Sequence, residues 1–341
     1  MKIHPLLALV LTAAPLLAQT PEQILKRFPN ADVDKDGRLS EQELRAVQER
    51  MNQGRGAQGA PKSVPTVAAA PYGPHERNVL DFWKAETTAP APVLVFIHGG
   101  GFTGGSKDGV GGATIEQCLK LGISFASINY RYSTQAIYPA PMMDGARAIQ
   151  FLRSKAREWN IDPTRIGVFG SSAGAGITMW IGFHDDLKKP DSADPIERES
   201  TRLLCIGTQG GQSTYDPLVI KEWIGGRAWE HPALLRLFGA GTVADIEKPE
   251  IRKLATDSAA LTHLSTDDPP IHMTYSEPDG PLPADAKPGQ GIHHPIFGHK
   301  LKERMDALGI QCIYQHTKDA PPKPGQSMID FFRDHLKPER K

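Results

Sequence analysis

The sequence contains little cysteine, with three residues in a chain of 341. Cys118, Cys205 and Cys312 each lie inside an apolar segment, and three thiols cannot all pair with one another. The pattern therefore argues against a disulfide framework, a cysteine-based metal site or a cysteine nucleophile, although one disulfide remains open. We expect the three side chains to be small buried hydrophobes.

The chain also lacks an excess of charge of either sign. Lysine and arginine together number 39, as do aspartate and glutamate, so the formal net charge at neutral pH is zero. Proteins that bind nucleic acid or anionic membrane surfaces usually carry a basic excess. The charge balance therefore argues against nucleic acid and membrane surfaces as partners.

Long apolar runs are missing beyond the first twenty residues. The run from Leu6 to Leu17 is shorter than the roughly 20 residues that a membrane-spanning helix needs. It follows a single lysine and precedes the small residue Ala18, which is typical of a secretory signal peptide cleaved after residue 18. We expect a secreted or periplasmic protein whose mature chain has no membrane span.

An acidic loop lies between two short helical patterns within residues 19–51. Its spacing, D-x-D-x-D-G-x5-E, is that of an EF-hand calcium loop, in which the glycine permits a tight turn and the last glutamate binds with both oxygens. The arginine would contribute only its backbone carbonyl. One such loop without a partner loop predicts weak, structural Ca²⁺ binding, and the alternative is a solvated acidic turn. The predicted Ca²⁺ ligands are Asp32, Asp34, Asp36, Arg38 and Glu43.

The composition of the remaining sequence changes first to that of a linker and then to that of a folded domain. Residues 52–71 are rich in glycine, proline and alanine, which is typical of a linker. Over residues 72–341, apolar strand patterns alternate with helical patterns, which predicts an α/β domain with a mostly parallel sheet covered by helices on both faces. Residues 184–264 are less regular, and we expect them to form a cap over the sheet edge where active sites lie.

The segment RIGVFGSSAGAG, residues 165–176, predicts a buried strand, a sharp turn and a helix. Its centre matches G-x-S-x-G, with Ser172 as the predicted nucleophile. Glycine is needed on both sides because the serine occupies a strained strand-to-helix turn with no room for side chains. Ser171 lacks this glycine spacing.

A second glycine-rich motif, HGGGF, begins at His98 directly after the apolar strand VLVFI. Glycines allow backbone N–H groups to crowd around one point, where they stabilise the negative oxygen of a tetrahedral intermediate. We predict an oxyanion hole built from the N–H groups of Gly100, Gly101 and Ala173, the last being the residue after the predicted nucleophile.

The order of these motifs resembles the α/β-hydrolase family, most closely its hormone-sensitive-lipase-like and carbohydrate-esterase-like branches. The resemblance covers residues 72–341 and is carried by segments that include VFIHGGGFTGGSK, SINYRYS, RIGVFGSSAGA and DDPPIHMTYSEPDG. It implies an α/β-hydrolase fold and a triad in the chain order serine, acid, histidine. It also implies that His98 and Asp144 are structural residues.

The resemblance implies that the catalytic acid is Asp279, after the strand IHMTY, with Glu277 as the alternative. The histidine is expected after the last strand, yet the loop TKDAPPKPGQS there contains none. A serine without a base is a poor nucleophile, so the identity of the base matters. Three hypotheses for it remain open. The base is one of the pair His293 and His294, with His294 preferred, or it is His316, or the chain has no competent base.

The predicted function is that of a secreted serine hydrolase acting on carboxylic esters, with Ser172, Asp279 and His294 as catalytic residues and no catalytic cofactor. The resemblance implies small esters or acylated polysaccharides as substrates. The alternative is a catalytically degenerate hydrolase domain that binds a glycan or another small ligand.

Overall fold

A computed structural model describes Arg38, residues 63–319, Lys323 and residues 325–337. The chain divides into two units, 1–61 and 62–341, and the first is described only at Arg38, which is exposed. The predicted signal peptide lies outside the described residues. So do the predicted Ca²⁺ ligands Asp32, Asp34, Asp36 and Glu43.

An eight-stranded sheet forms the centre of the second unit, in the order β1-β2-β4-β3-β5-β6-β7-β8. The β2 strand pairs antiparallel with β1 and β4, and all the other pairings are parallel. The strands are β1 (Val67–Pro71), β2 (Val79–Trp83), β3 (Ala91–Ile97), β4 (Ser124–Ile128), β5 (Ile161–Ser171), β6 (Cys205–Gln209), β7 (Ile271–Tyr275) and β8 (Cys312–His316).

Helices cover both faces of this sheet, because its central strands are apolar on both sides. The β3 strand, APVLVFI, is buried along its whole length, and its alternate residues join two separate apolar clusters. The predicted architecture is therefore confirmed. The described α-helices are α1 (Gly112–Lys120), α2 (Ala140–Ser154), α3 (Ala156–Trp159), α4 (Ala173–Phe183), α5 (Pro217–Ile224), α6 (Pro232–Phe238), α7 (Pro249–Asp257), α8 (Ala260–His263), α9 (Ile296–Ala307) and α10 (Met328–Leu336).

The domain begins earlier than the predicted boundary at Tyr72. Residues Val67–Pro71, expected to belong to the linker, form the edge strand β1. Ala69 interrupts the strand with a φ of 48°, and its N–H donates to Asp81 Oδ1 at 2.8 Å. Backbone pairing with β2 holds this segment in the sheet. Its side chains are small, so the sequence did not indicate a strand here.

The segment between β6 and β7 carries α5 to α8 and lies over one end of the sheet. An ion pair anchors it: Asp216 accepts from Leu218 N at 2.9 Å, which caps α5, and from the Arg252 guanidinium at 2.5 and 2.6 Å. Asp216 is buried, so this pair joins the start of α5 to α7. Of residues 184–264, which were expected to form a cap, only those after β6 belong to this segment, and Cys205–Gln209 form the strand β6.

Two other expectations concern thiols and membranes. Cys118, Cys205 and Cys312 are free and buried, as expected, and burial raises the pKa of the Cys118 and Cys312 thiols to about 12. No helix in the described part of the chain is both long and apolar enough to cross a membrane.

Candidate active site

Ser172 lies at the sharp turn between the end of β5 and the start of α4. Its φ of 50° and ψ of −121° are sparsely populated for a residue with a side chain, as expected of a strained turn that exposes a nucleophile. Its N–H donates to Gln209 O at 2.9 Å, which ties the turn to β6. The predicted strand, turn and helix around Ser172 are therefore present.

The glycines of this turn are required by close backbone contacts. A Cβ on Gly170 would lie 2.3 Å from Gly174 O, and a Cβ on Gly174 would lie 2.1 Å from Ile97 O. Neither backbone can yield without moving the sheet. The spacing G-x-S-x-G is thus a packing requirement, and it brings Ser172 beside the loop that follows β3.

His293 is the histidine that contacts Ser172. Its Nε2 lies 2.8 Å from Ser172 Oγ, which is hydrogen-bonding distance. The ring belongs to the connection between β7 and α9, three residues before the helix begins. Its other nitrogen, Nδ1, lies 3.3 Å from Oε1 of Glu277, which follows β7. Ser172, His293 and Glu277 thus form one chain of contacts, with the acid and serine on opposite nitrogens.

The structure corrects two of the expected positions. Asp279 lies 2.7 Å from His299 on the exposed side of the loop. The His294 Nε2 atom lies 2.8 Å from Gly280 O, so its ring is engaged with the backbone. The contacts with Ser172 are thus made from the predicted histidine pair and the predicted acidic segment, but by the neighbours His293 and Glu277 of the preferred residues. Side chains one or two residues apart in an irregular loop point in different directions, and no periodicity predicts which.

The third alternative, His316, also lies away from the serine. It ends β8, as predicted, and its Nε2 lies 2.8 Å from the backbone oxygen of Glu277. Its Nδ1 faces the N–H of Lys318 at 3.1 Å. Both ring nitrogens are therefore engaged with the backbone.

The oxyanion-hole prediction concerns the backbone N–H groups of Gly100, Gly101 and Ala173. Gly101, Ser172 and Ala173 line the same cavity. Within the described residues, the N–H groups of Gly100, Gly101 and Ala173 make no hydrogen bond to another backbone group. Of the three residues only Ala173 is buried, and because buried backbone donors are normally paired, its free N–H beside a serine hydroxyl suits a negatively charged oxygen. Gly100 and Gly101 adopt φ values of 112° and 58°, which favour glycine.

A buried network supports this loop from behind. Tyr130 stacks on His98, with ring centroids 4.4 Å apart, and its hydroxyl donates to His98 O at 3.0 Å. Burial, with a smaller contribution from Arg77, lowers the pKa of His98 to about 4, so the ring is neutral near pH 7. The neighbouring Arg131 forms a bidentate ion pair with the buried Asp144, at distances of 2.7 to 3.1 Å. His98 and Asp144 thus both have the structural environment that the resemblance implied.

The cavity beside Ser172 measures about 460 Å³, including space that opens to solvent. Its walls are mainly apolar and come from the loop after β3, the cap segment and the start of α9. The polar residues on the cap side are Gln212 and His231, and the Nδ1 of His231 accepts from Ala233 N at 3.2 Å. Burial, His293 and Arg236 lower the pKa of His231. The apolar side chains are Phe102, Tyr215, Ile220, Leu234, Ile292 and Phe297.

Two residues that the sequence argument did not single out hold His293. A Cβ on Gly210, whose φ is 57°, would lie 3.2 to 3.3 Å from atoms of the His293 side chain. The Gln212 side-chain amide donates to the backbone oxygen of Ile292, the residue before His293. The sequence feature that could have indicated both is the segment GGQ, residues 210–212, directly after β6.

The sheet order and the strained serine turn define an α/β-hydrolase fold. A crystal structure of an acetyl ester-xyloside bifunctional hydrolase from Caldicellulosiruptor lactoaceticus shares it, with a TM-score of 0.56 and 21% identity over 76% of this chain and 84% of that one. The structure titled bacterial heroin esterase is similar, with a TM-score of 0.55 and 20% identity over 79% of this chain and 80% of that one. At these identities the likeness shows the fold alone.

The family itself is defined by sequence. A family model described as BD-FAE matches residues 80–286, more than half of the chain, and the chain belongs to that family. A probable carboxylic ester hydrolase of Mycobacterium tuberculosis, LipM, is 27% identical over 222 residues, which are 64% of this chain and 49% of LipM. A probable isoprenylcysteine α-carbonyl methylesterase of Arabidopsis thaliana, ICMEL1, is 27% identical over 77% of this chain and 53% of its own length. The chain thus spans about half the length of these two relatives.

Proposed function

We propose that this protein is a carboxylic ester hydrolase that uses Ser172, His293 and Glu277 as its catalytic triad. The observation that carries the proposal is the 2.8 Å contact between Ser172 Oγ and His293 Nε2, with Glu277 on the opposite ring nitrogen. The ester hydrolases among the relatives of this chain support the reaction class.

The geometry supports the following reaction. His293 Nε2 accepts the proton of the Ser172 hydroxyl as Oγ attacks the acyl carbon. The Glu277 carboxylate stabilises the imidazolium that forms and keeps the ring in the orientation with Nδ1–H toward the acid. His293 then gives the proton to the departing alcohol, which leaves an acyl group on Ser172. A water molecule, deprotonated by the same ring, then attacks the acyl carbon, and His293 returns this proton to Ser172 Oγ as the bond to the serine breaks and the acid leaves.

The negative oxygen of each tetrahedral intermediate would bind the N–H groups of Gly100, Gly101 and Ala173. Donors that a rigid turn holds in position before substrate binds would need no reorganisation during the reaction. The removal of one such donor in other hydrolases costs about 10²- to 10³-fold in kcat. The support from the buried His98 and Tyr130 explains how a glycine-rich loop holds this geometry.

The binding-protein alternative depended on the lack of a competent base. The contact of His293 Nε2 with Ser172 Oγ at 2.8 Å supports the hydrolase over this alternative. We propose small esters as substrates, because the cavity beside Ser172 is compact and mainly apolar. The titles of similar structures, which include a truncated carbohydrate esterase from gut microbiota, support acylated polysaccharides as a second source of the same acyl groups.

The test compares Ser172→Ala and His293→Ala with the unmodified protein in the hydrolysis of p-nitrophenyl acetate. Both variants should lose at least about 10³-fold in kcat/KM, since a serine and its base act as a unit. The matched controls are Ser171→Ala, the adjacent serine, and His335→Ala, a histidine on α10 whose Nε2 contacts Gln311. The proposal fails if either control loses as much activity as its partner variant, or if His293→Ala retains full activity.

Two proposals concern residues 1–61. We propose that the loop from Asp32 to Glu43 binds Ca²⁺ weakly and that the protein is exported, which its sequence patterns alone support. No group of histidine, cysteine, aspartate and glutamate suited to a metal occurs elsewhere within the described residues. Calorimetric titration of the protein, beside an Asp32→Asn/Asp34→Asn variant, tests the calcium site, and the absence of binding at millimolar Ca²⁺ would disprove it.

A further inference from the structure

Two buried histidines lie behind the loop that carries Glu277. We call residues 277–280, which follow β7, the acid loop. The Nε2 atom of His316 is 2.8 Å from Glu277 O, and the Nε2 atom of His294 is 2.8 Å from Gly280 O. The two rings thus contact the first and the last carbonyl of the acid loop.

The backbone determines which nitrogen of each ring carries the hydrogen. The N–H of Ile296 faces His294 Nδ1 at 3.0 Å, and the N–H of Lys318 faces His316 Nδ1 at 3.1 Å. An N–H can only donate, so each Nδ1 accepts and each Nε2 carries the hydrogen that it donates to the acid loop. His294 and His316 are 5% and 8% exposed, so water offers little competition for these bonds.

We infer that His294 and His316 are positioning residues that hold the Glu277 carboxylate against His293. The inference rests on the proposed function. The Glu277 side chain starts from an irregular loop, and its contact with His293 is 3.3 Å long, so a small shift of the loop would break it. His316 fixes the backbone of the acid itself. His294 fixes the far end of the loop and, as the next residue, the backbone of His293.

His316 is the better position for a test, because His294 adjoins His293 and its loss would disturb the base directly. Asparagine can replace the acceptor of His316 Nδ1 but cannot reach Glu277 O. Glutamine carries an amide N–H near the position of the imidazole Nε2 and can restore that donor. Both variants lack the imidazole ring, but only His316→Gln keeps a donor to the acid loop. Their comparison therefore measures the effect of that donor.

The experiment measures kcat and KM for p-nitrophenyl acetate with His316→Asn and His316→Gln, each alone and combined with Glu277→Gln. We expect His316→Asn to lower kcat about tenfold at an unchanged KM, and His316→Gln to recover most of the loss. In the Glu277→Gln background, His316→Asn should cost nothing more, because the carboxylate that it positions is already gone. His335→Asn, a histidine substitution outside the acid loop, is the matched control, and thermal unfolding verifies that each variant is folded.

Three results would overturn the inference. These are an equal loss for His316→Asn with and without Glu277, a glutamine variant no better than the asparagine variant, and a change in KM instead of kcat. Failure of the proposed function itself looks different, because the unmodified protein would then show no hydrolysis that depends on Ser172. If His316→Asn does not fold, His316→Ala, which also lacks the donor to Glu277 O, replaces it in the two backgrounds.

Discussion

The choice between Glu277 and Asp279 as the catalytic acid gives the sharpest prediction. Glu277→Gln removes a carboxylate whose Oε1 lies 3.3 Å from His293 Nδ1. At that distance the attraction between a carboxylate and an imidazolium is about 5 kcal/mol at an effective dielectric constant of 20 and about 1.3 kcal/mol in bulk water. The side chains of Glu277 and His293 are 26% and 32% exposed, which places the interaction between these limits.

We therefore expect Glu277→Gln to raise the activation barrier by about 3 kcal/mol, a loss on the order of 10²-fold in kcat. Asp279→Asn should change kcat by less than about twofold. Its carboxylate pairs with His299 at 2.7 Å, but the two side chains are 52% and 41% exposed, and surface pairs contribute little. Each variant replaces one carboxylate by an amide, and the two positions are two residues apart.

The assay is steady-state hydrolysis of p-nitrophenyl acetate at pH 7.5, with thermal unfolding of each variant as a check on folding. A loss of kcat confined to Glu277→Gln would support the geometry. A larger loss in Asp279→Asn than in Glu277→Gln would refute it, and it would mean that the acid loop rearranges when substrate binds.

Three further predictions concern the surroundings of the triad. Gly210→Ala should lower kcat about tenfold with little change in KM, because its Cβ would press on His293 from a backbone with a φ of 57°; unchanged kinetics would contradict this packing. Arg252→Met should lower the free energy of unfolding in urea by about 3 to 5 kcal/mol, because it leaves the buried Asp216 carboxylate unpaired; a loss under 1 kcal/mol would contradict this. Burial raises the pKa of Asp268 to about 6, above its value of about 4 in an unfolded chain, so the folded protein binds this proton more tightly and its stability falls as pH rises from about 4 to about 6. Asp268→Asn should remove that fall, and parallel stability curves for variant and parent across this pH range would show that the reasoning is wrong.

The sequence predicted the turn at Ser172 well because its constraints leave glycines at a fixed spacing. Gly170 is needed for the close approach of Gly174 and Gly174 for that of Ile97, and the strand and helix that flank Ser172 have clear apolar patterns. The glycines after β3 are equally informative. Each of these motifs can be recognised without knowing which distant residues contact it.

The base and the acid could be narrowed to short segments but not to single residues. The difference between His293 and His294 depends on two contacts from distant parts of the chain, the space left by Gly210 and the hydrogen bond from Gln212 to Ile292. Neither contact leaves a pattern within the histidine segment. The same holds for β1, which backbone pairing with β2 stabilises.

The missing histidine after β8 has a topological explanation. The position at the end of that strand holds His316, whose ring turns toward the acid loop instead of the serine. The proposed base comes instead from the connection between β7 and α9, so the proposed triad keeps the chain order Ser172, Glu277, His293 while its histidine lies ahead of α9. The proposed acid Glu277 and the proposed base His293 then both lie on the connection between β7 and α9. A change anywhere between them should therefore disturb both partners together, whereas a base on the loop after β8 would move independently of its acid.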